Sequence, residues 1–186
     1  MGEANKYQVV LADPAWGYCN RVSNGACSRH YETLTVGSIA RLPVWRLAAD
    51  NAALFLWVPS PMLDDGLRVV DWWGFAYKTI AFVWSKLTMN RKRRRIGPGN
   101  YTRPETEVCL LGIRGRMPVA DHKVRQTIDA PWNGHSRKPD EQYDRIERLY
   151  PGTRKLEMFA RPPVREGWDT WGNEVETSNG AIELER

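Results

Sequence analysis

Apolar positions in this chain fall into short, nearly unbroken runs separated by clusters of turn-forming residues. Residues 7–12 (YQVVLA) and 52–58 (AALFLWV) have the length of strands and lack polar alternation. That is the pattern of strands covered on both faces. Residues 78–84, 107–113 and 155–159 predict three more strands. Pro59 and Pro61 end the second run. Residues 62–73 then place Met62, Leu63, Leu67 and Val70 at helical spacing. Residues 35–49 predict a helix in pieces, broken at Pro43. The clearest helix is 139–149. Pro139 suits its first turn, Asp140 and Glu141 complement the dipole there, and Tyr143, Ile146 and Leu149 share a face. Pro151-Gly152 ends it. Residues 121–135 show no period and read as a loop, and the polar residues after Glu176 read as a frayed tail. Alternating strands and helices predict a layered α/β domain.

Length and composition narrow the picture. The chain has 186 residues, about one domain, and is 42% hydrophobic. No apolar stretch reaches the length of a membrane span. The amino terminus lacks a signal-peptide pattern, so a cytoplasmic protein is expected, or a nuclear one in a eukaryote. Three cysteines, Cys19, Cys27 and Cys109, argue against a disulfide framework. Cys19, Cys27 and His30 match no common zinc spacing, so no metal is expected. The formal charge of +5 favours a polyanionic partner. Much of that charge lies in a basic, turn-rich insertion at about 86–104. It holds Arg91, Lys92, Arg93, Arg94 and Arg95, followed by Gly97-Pro98-Gly99. Such a run is poorly suited to a core and well suited to phosphates.

The sharpest chemical signal is Asp13-Pro14-Ala15-Trp16, which directly follows the first apolar run. A carboxylate, a rigid turn and a large aromatic thus stand at the carboxyl end of a strand, where open α/β sheets build ligand crevices. The set suits a flat base with an exocyclic amine. Such a nitrogen is a poor nucleophile because its lone pair is delocalised into the ring. Acceptors aimed at its N–H groups, the Asp13 carboxylate and the Pro14 carbonyl, favour a more tetrahedral nitrogen. Trp16 can stack on the base and fix its plane. No histidine base is needed, because the nitrogen becomes acidic only once alkylated. Nine tryptophans in one short chain mean that most are packing residues, so Trp16 alone decides little.

Several ordered segments resemble the MT-A70 family of N6-adenine methyltransferases. They are Asp13-Pro14-Ala15-Trp16, Leu54-Phe55-Leu56-Trp57-Val58, Arg137-Lys138-Pro139-Asp140-Glu141, the stretch from Pro151 to Arg161, and Trp168 with Gly172-Asn173-Glu174. The resemblance spans residues 7 to 175. It implies a Rossmann-like methyltransferase fold, a three-layer sandwich around a mostly parallel sheet. The catalytic motif precedes the main cofactor-binding segment, and residues 1–176 form one domain before a tail at 177–186. It also implies S-adenosylmethionine as cofactor. By that resemblance Asp13 touches the target amine and the cofactor's methionine amino group. Lys138 lies near cofactor and base, Phe159 and Arg161 lie along the cofactor, and Asn173 and Glu174 meet its ribose and adenine.

Three departures stand out. Ala15 replaces the second proline of the usual Asp-Pro-Pro-Trp, which relaxes the turn but keeps the carboxylate, the carbonyl and the aromatic. Pro162-Pro163-Val164 replaces the His-Asn of some relatives, so ribose contacts differ. A dozen residues precede Asp13, and without an upstream acidic segment Asp169 or Glu174 is expected to serve the adenine instead. The expected activity is methyl transfer to N6 of adenine in nucleic acid, DNA ahead of RNA, since no appended RNA-recognition motif is visible. The target must be flipped out or single-stranded. A homodimer is a possible assembly. The alternatives are an RNA enzyme, a catalytically weak scaffold that binds nucleic acid, and a methyltransferase for a small amine.

Overall fold

A computed structural model of the chain describes residues 6–17, 34–132 and 137–176. Strand β1 (Tyr7–Ala12) leads into two short helices, α1 (Val36–Arg41) and α2 (Val44–Leu47). Thr35 caps α1, its hydroxyl accepting from the Ser38 N–H at 3.1 Å, and Pro43 separates the two pieces. Strand β2 (Ala48–Val58) begins earlier than its apolar core implied, because Ala48 and Ala49 already lie in the sheet. A single 3-10 turn (Ser60–Met62) precedes α3 (Leu63–Trp72), followed by β3 (Ala76–Leu87) and β4 (Thr106–Arg114). The chain closes with β5 (Thr127–Pro131), α4 (Glu141–Leu149), β6 (Lys155–Met158) and β7 (Asp169–Trp171).

These strands form one sheet in the order β5-β3-β4-β2-β1-β6-β7. The pairs β1–β2, β1–β6, β3–β5 and β6–β7 are parallel. Only β4 runs against both neighbours. The central strands are apolar on both faces because both are covered. Val10, Ala12, Leu54 and Leu56 pack beneath α1, α2 and α3, whereas Val9, Leu11, Phe55 and Trp57 pack against Tyr143 and Ile146 of α4. This is the expected Rossmann-like, three-layer arrangement around a mostly parallel sheet.

Two strands differ from the sequence reading. Residues 127–131 are not loop but the parallel edge strand β5. Only Ile128 of its five residues is fully buried, and it contains Asp129 and Pro131. Strand-averse residues with a single inward side chain leave no periodic signal, and the edge position tolerates the proline. The three-residue β7 escaped notice for the same reason.

The topology fixes where a ligand can bind. From β1 the chain builds outward through β2, β4, β3 and β5, then crosses back to lay β6 on the other side of β1. The strand order therefore reverses at β1. In open α/β sheets such a reversal opens a crevice at the carboxyl ends of the strands. Asp13 is the first residue beyond the carboxyl end of β1.

Candidate functional site

The parallel register pairs Ala12 with Met158, so the segment after β1 lies beside the segment after β6. Asp13 thereby meets Phe159-Ala160-Arg161, although almost the whole chain separates them. Phe159 ends β6 with φ of 61°, a left-handed conformation that a bulky residue rarely adopts and that marks local strain. Its ring packs edge-on to Trp171 at 5.2 Å between centroids. Just beyond, the Ala160 N–H donates to the Trp171 carbonyl at 3.0 Å. A Cβ on Gly172 would stand 2.7 Å from the Ala160 oxygen, so only glycine lets the two connections run this close.

These connections and α1 enclose a cleft of about 620 Å³. Phe159, Leu34, Leu42 and Trp171 give it apolar walls, and Arg161, Asn173, Glu174 and Ser38 line it with polar groups. Arg161 and Glu174 form an ion pair at 3.3 Å. The size lies within the range of nucleotide-sized ligand sites. Phe159 and Arg161 also line a second, much smaller pocket of about 30 Å³, shared with Asp13, Lys138, Trp57, Tyr143 and Glu157. Four of the residues expected along a cofactor therefore share the large cleft, and Asp13 and Lys138 stand in the adjoining polar pocket.

Lys138 approaches just ahead of α4 and is nearly sealed from solvent. Its ammonium donates to both Asp13 oxygens at 2.7 Å and lies 3.2 Å from Glu107 at the start of β4. It also stands 5.5 Å from the centroid of the Trp57 ring. Glu107 pairs in turn with Lys86 of β3. Burial works against the charge on Lys138, but Asp13 and Glu107 outweigh it and hold the lysine above its usual range. Burial pushes Asp13 up, with Lys138 opposing. Burial would also raise Glu107, yet Lys138 and Lys86 hold it below the ordinary glutamate range. Asp13 is not closed off: its side chain keeps 30% of its exposure against 6% for Lys138. A carboxylate offers about four acceptor directions, so two hydrogen bonds from one ammonium leave room for another donor.

The rest of the motif braces this acid. The Trp16 N–H donates to the Pro14 carbonyl at 2.9 Å, and backbone bonds tie Ala15 and Gly17 to Leu34. The Pro14 oxygen keeps a second lone pair. Trp16 was expected to present a stacking face. Its ring instead packs in the core at 6% exposure, and its indole N–H donates to the Trp57 carbonyl at 2.9 Å. The suggestion that Asp169 serves an adenine does not survive either. Its carboxylate accepts from Tyr7 at 2.8 Å and from Arg154 at 2.8 Å, on the side of the sheet end where β1 begins.

Sequence reading missed two carboxylates, Glu107 and Glu157. Glu157 lies on β6 beside Leu11, with one oxygen accepting from the Tyr143 hydroxyl at 2.8 Å. Its other oxygen is buried with no hydrogen-bond partner among the described residues. Burial raises Glu157 to about 7, with Asp13 adding to the effect. An acid inside a predicted strand was the only signal, and it reads equally as a solvent-facing position. The five basic residues from Arg91 to Arg95 are exposed and lie outside both pockets. Cys19, Cys27 and His30 fall outside the described residues. Among the described residues, no helix is long and apolar enough to cross a membrane.

The sequence model of the family described as MT-A70 matches residues 7–174, which takes in every strand of the sheet. The chain belongs to the MT-A70 family. Its relatives include a Type II methyltransferase, M.MunI, from Mycoplasma sp, 33% identical over 91% of this chain and 78% of that protein. The N(6)-adenosine-methyltransferase catalytic subunit METTL3 of Homo sapiens is 33% identical over 92% of this chain. An N(6)-adenosine-methyltransferase MT-A70-like protein of Arabidopsis thaliana is 33% identical over 91%. The chain spans only 28% of METTL3 and 24% of the Arabidopsis protein. In this MT-A70 chain the Asp-Pro-Ala-Trp motif stands at the switch point of the sheet.

Proposed function

We propose that this chain transfers a methyl group from S-adenosylmethionine to N6 of adenine in nucleic acid, DNA in preference to RNA. One observation carries the reading: Phe159 and Arg161 line both the 620 Å³ cleft and the polar pocket that holds Asp13. A group bound in the cleft therefore borders the Asp13-Pro14 motif, which suits an aryl amine. A relative named as an N(6)-adenosine-methyltransferase catalytic subunit is 33% identical over 92% of this chain.

The lining suits the cofactor. Apolar walls at Phe159, Leu42 and Trp171 can flank a purine, Asn173 and Glu174 can meet ribose hydroxyls, and Arg161 can meet a carboxylate. When bound, S-adenosylmethionine supplies an electrophilic methyl group. The protein's part is alignment and electrostatics. The exposed side of Asp13 accepts an N–H of the target amine, and the remaining lone pair of the Pro14 carbonyl accepts the other. Lys138 opposes the burial that raises Asp13 and fixes its plane through two hydrogen bonds. Trp16 acts from beneath, holding the turn rather than the base. Once the nitrogen carries the new methyl it is cationic and acidic, so its proton leaves to solvent without a dedicated base.

The preference for DNA follows the likeness to the Type II methyltransferase M.MunI, 33% identical over 91% of this chain. The test is mass analysis of nucleosides after incubation with S-adenosylmethionine and matched DNA and RNA oligonucleotides. N6-methyl-2′-deoxyadenosine should predominate. A predominance of N6-methyladenosine would reassign the substrate. Neither product, with no cofactor binding in calorimetry, would leave a scaffold.

A further inference from the structure

The five basic residues between β3 and β4 are not equivalent. Beyond Leu87 the chain doubles back on itself. Thr88 N–H donates to the Arg93 carbonyl and Arg95 N–H to the Lys86 carbonyl, both at 2.8 Å, and Leu87 bridges Arg94. The result is a hairpin extending β3 past the carboxyl edge of the sheet, with Arg91 at its turn at φ 59°. Two of the basic side chains are used inside the protein. Arg94 pairs with Asp129 of β5 at 3.3 Å, and the Arg95 guanidinium lies over the Trp132 ring, 3.3 Å from its centroid. Arg91, Lys92 and Arg93 are exposed, with no side-chain partner among the described residues.

The returning limb carries a different feature. Gly97 N–H donates to the Pro104 carbonyl at 2.8 Å, closing a loop whose outermost ring is Tyr101. Tyr101 is completely exposed, at 101% of its reference area. Its presentation is built in: a Cβ on Gly99 would lie 1.9 Å from the Thr102 oxygen, so the turn behind the ring closes only with glycine. A tyrosine ring held wholly in water, on the same β3–β4 connection as three exposed cations without a side-chain partner among the described residues, has the composition of a surface for an unstacked nucleic-acid strand. Rings take base faces there and cations take phosphates. The arm is also rooted at the chemistry. Lys86 at its base pairs with Glu107, Glu107 meets Lys138, and Lys138 holds Asp13.

We propose that Tyr101 stacks on a base of the strand whose adenine is presented to Asp13, that Arg91, Lys92 and Arg93 neutralise flanking phosphates, and that Arg94 and Arg95 only anchor the arm. This rests on the nucleic-acid reading given above and adds the division of labour. Stacking depends little on salt, whereas phosphate contacts release counterions, so the two contributions separate experimentally.

The experiment measures affinity of the full chain for a fluorescein-labelled, mixed-sequence single-stranded DNA across a salt series. Tyr101→Ala should weaken binding about tenfold at every salt concentration, leaving the slope of log K against log salt unchanged. Tyr101→Phe should restore it. Replacing Arg91, Lys92 and Arg93 together by alanine should flatten the slope by about 2, near 0.7 per lost phosphate contact. Replacing Arg94 and Arg95 by glutamine should leave the slope within about 0.5 of wild type. Wild-type affinity in Tyr101→Ala, or a Tyr101→Phe that behaves like alanine, would overturn the stacking role while the methyltransferase reading stands. A wild-type chain that binds the cofactor but no oligonucleotide would bring down both.

Discussion

Lys138 donates to both carboxylate oxygens of Asp13 at 2.7 Å while its own side chain is almost entirely buried. The pair is asymmetric in what each partner loses without the other. Removing the Asp13 charge leaves Lys138 with Glu107. Removing the Lys138 charge leaves Asp13 and Glu107 repelling one another, with Lys86 paired to Glu107 and Arg161 acting on Asp13 from farther off.

That asymmetry predicts different mutant behaviour. Asp13→Asn should lower methyl transfer at least about 100-fold, on the scale seen when one charge-stabilising group is removed from an active site. It should keep most of the fold's stability. Lys138→Met should cost roughly 3–5 kcal/mol at neutral pH, the usual penalty for orphaning a buried charge. That loss should shrink on acidification, as Asp13 and Glu107 take up protons. Urea unfolding of both variants at pH 7 and pH 5 checks this. A Lys138→Met protein as stable as wild type would show that the pair carries no buried-charge penalty.

Glu157 supplies a pH dependence of stability. Burial raises it to about 7, above the ordinary 4.5 of the unfolded chain. Between those values the folded protein holds a proton that the unfolded chain has released. Its contribution is therefore complete below about pH 4.5 and is lost as pH rises through 7. The size is on the order of 3 kcal/mol. Thermal unfolding should show the protein weakening from pH 5 to pH 8, and Glu157→Gln should flatten that trend. An unchanged slope in Glu157→Gln would assign the dependence to another group.

Gly172 sets the width of the large cleft. A methyl group there would press on the Ala160 oxygen at 2.7 Å and drive apart the connections after β6 and β7. Gly172→Ala should cost about 1–3 kcal/mol, as overpacking does. It should also weaken S-adenosylhomocysteine at least about tenfold in calorimetry, because Phe159, Arg161, Asn173 and Glu174 all shift with those connections. Undiminished affinity would mean that the ligand lies elsewhere.

Trp16 separates bracing from stacking. Trp16→Phe keeps a ring but removes the donor to the Trp57 carbonyl. If the residue braces the turn, the variant should lose about 1–3 kcal/mol of stability, because a buried acceptor is left unpaired. An undiminished melting temperature with a much lower methylation rate would return Trp16 to the base.

The sequence disclosed the elements whose apolar residues repeat, and hid those defined by a single inward side chain. The sheet's middle was legible because β1, β2 and β4 are covered on both faces. The edges were not: β5 contributes Ile128 alone to full burial, and β7 has three residues. Asp13 was found because a carboxylate before proline at a strand end is unusual in itself. Glu107 and Glu157 were missed because an acid within a strand is ordinary until one knows what covers it. That knowledge depends on the crossover that lays β6 beside β1 and on the approach to α4, which sets Lys138 between two distant carboxylates. Trp16 was misjudged for a related reason. Motif chemistry indicates which groups are present, but only packing decides whether an aromatic face is open.

The reversed direction of β4 has a consequence for how such a protein can diversify. Because β4 enters the sheet at the edge where the parallel strands leave it, the β3–β4 connection emerges over the rim that carries Asp13 instead of the opposite one. Insertions and deletions there remodel what approaches Asp13 while every crossover that builds the crevice keeps its length. The proposed strand-contacting arm and the Asp13 pocket are thereby housed in separately mutable stretches of one polypeptide.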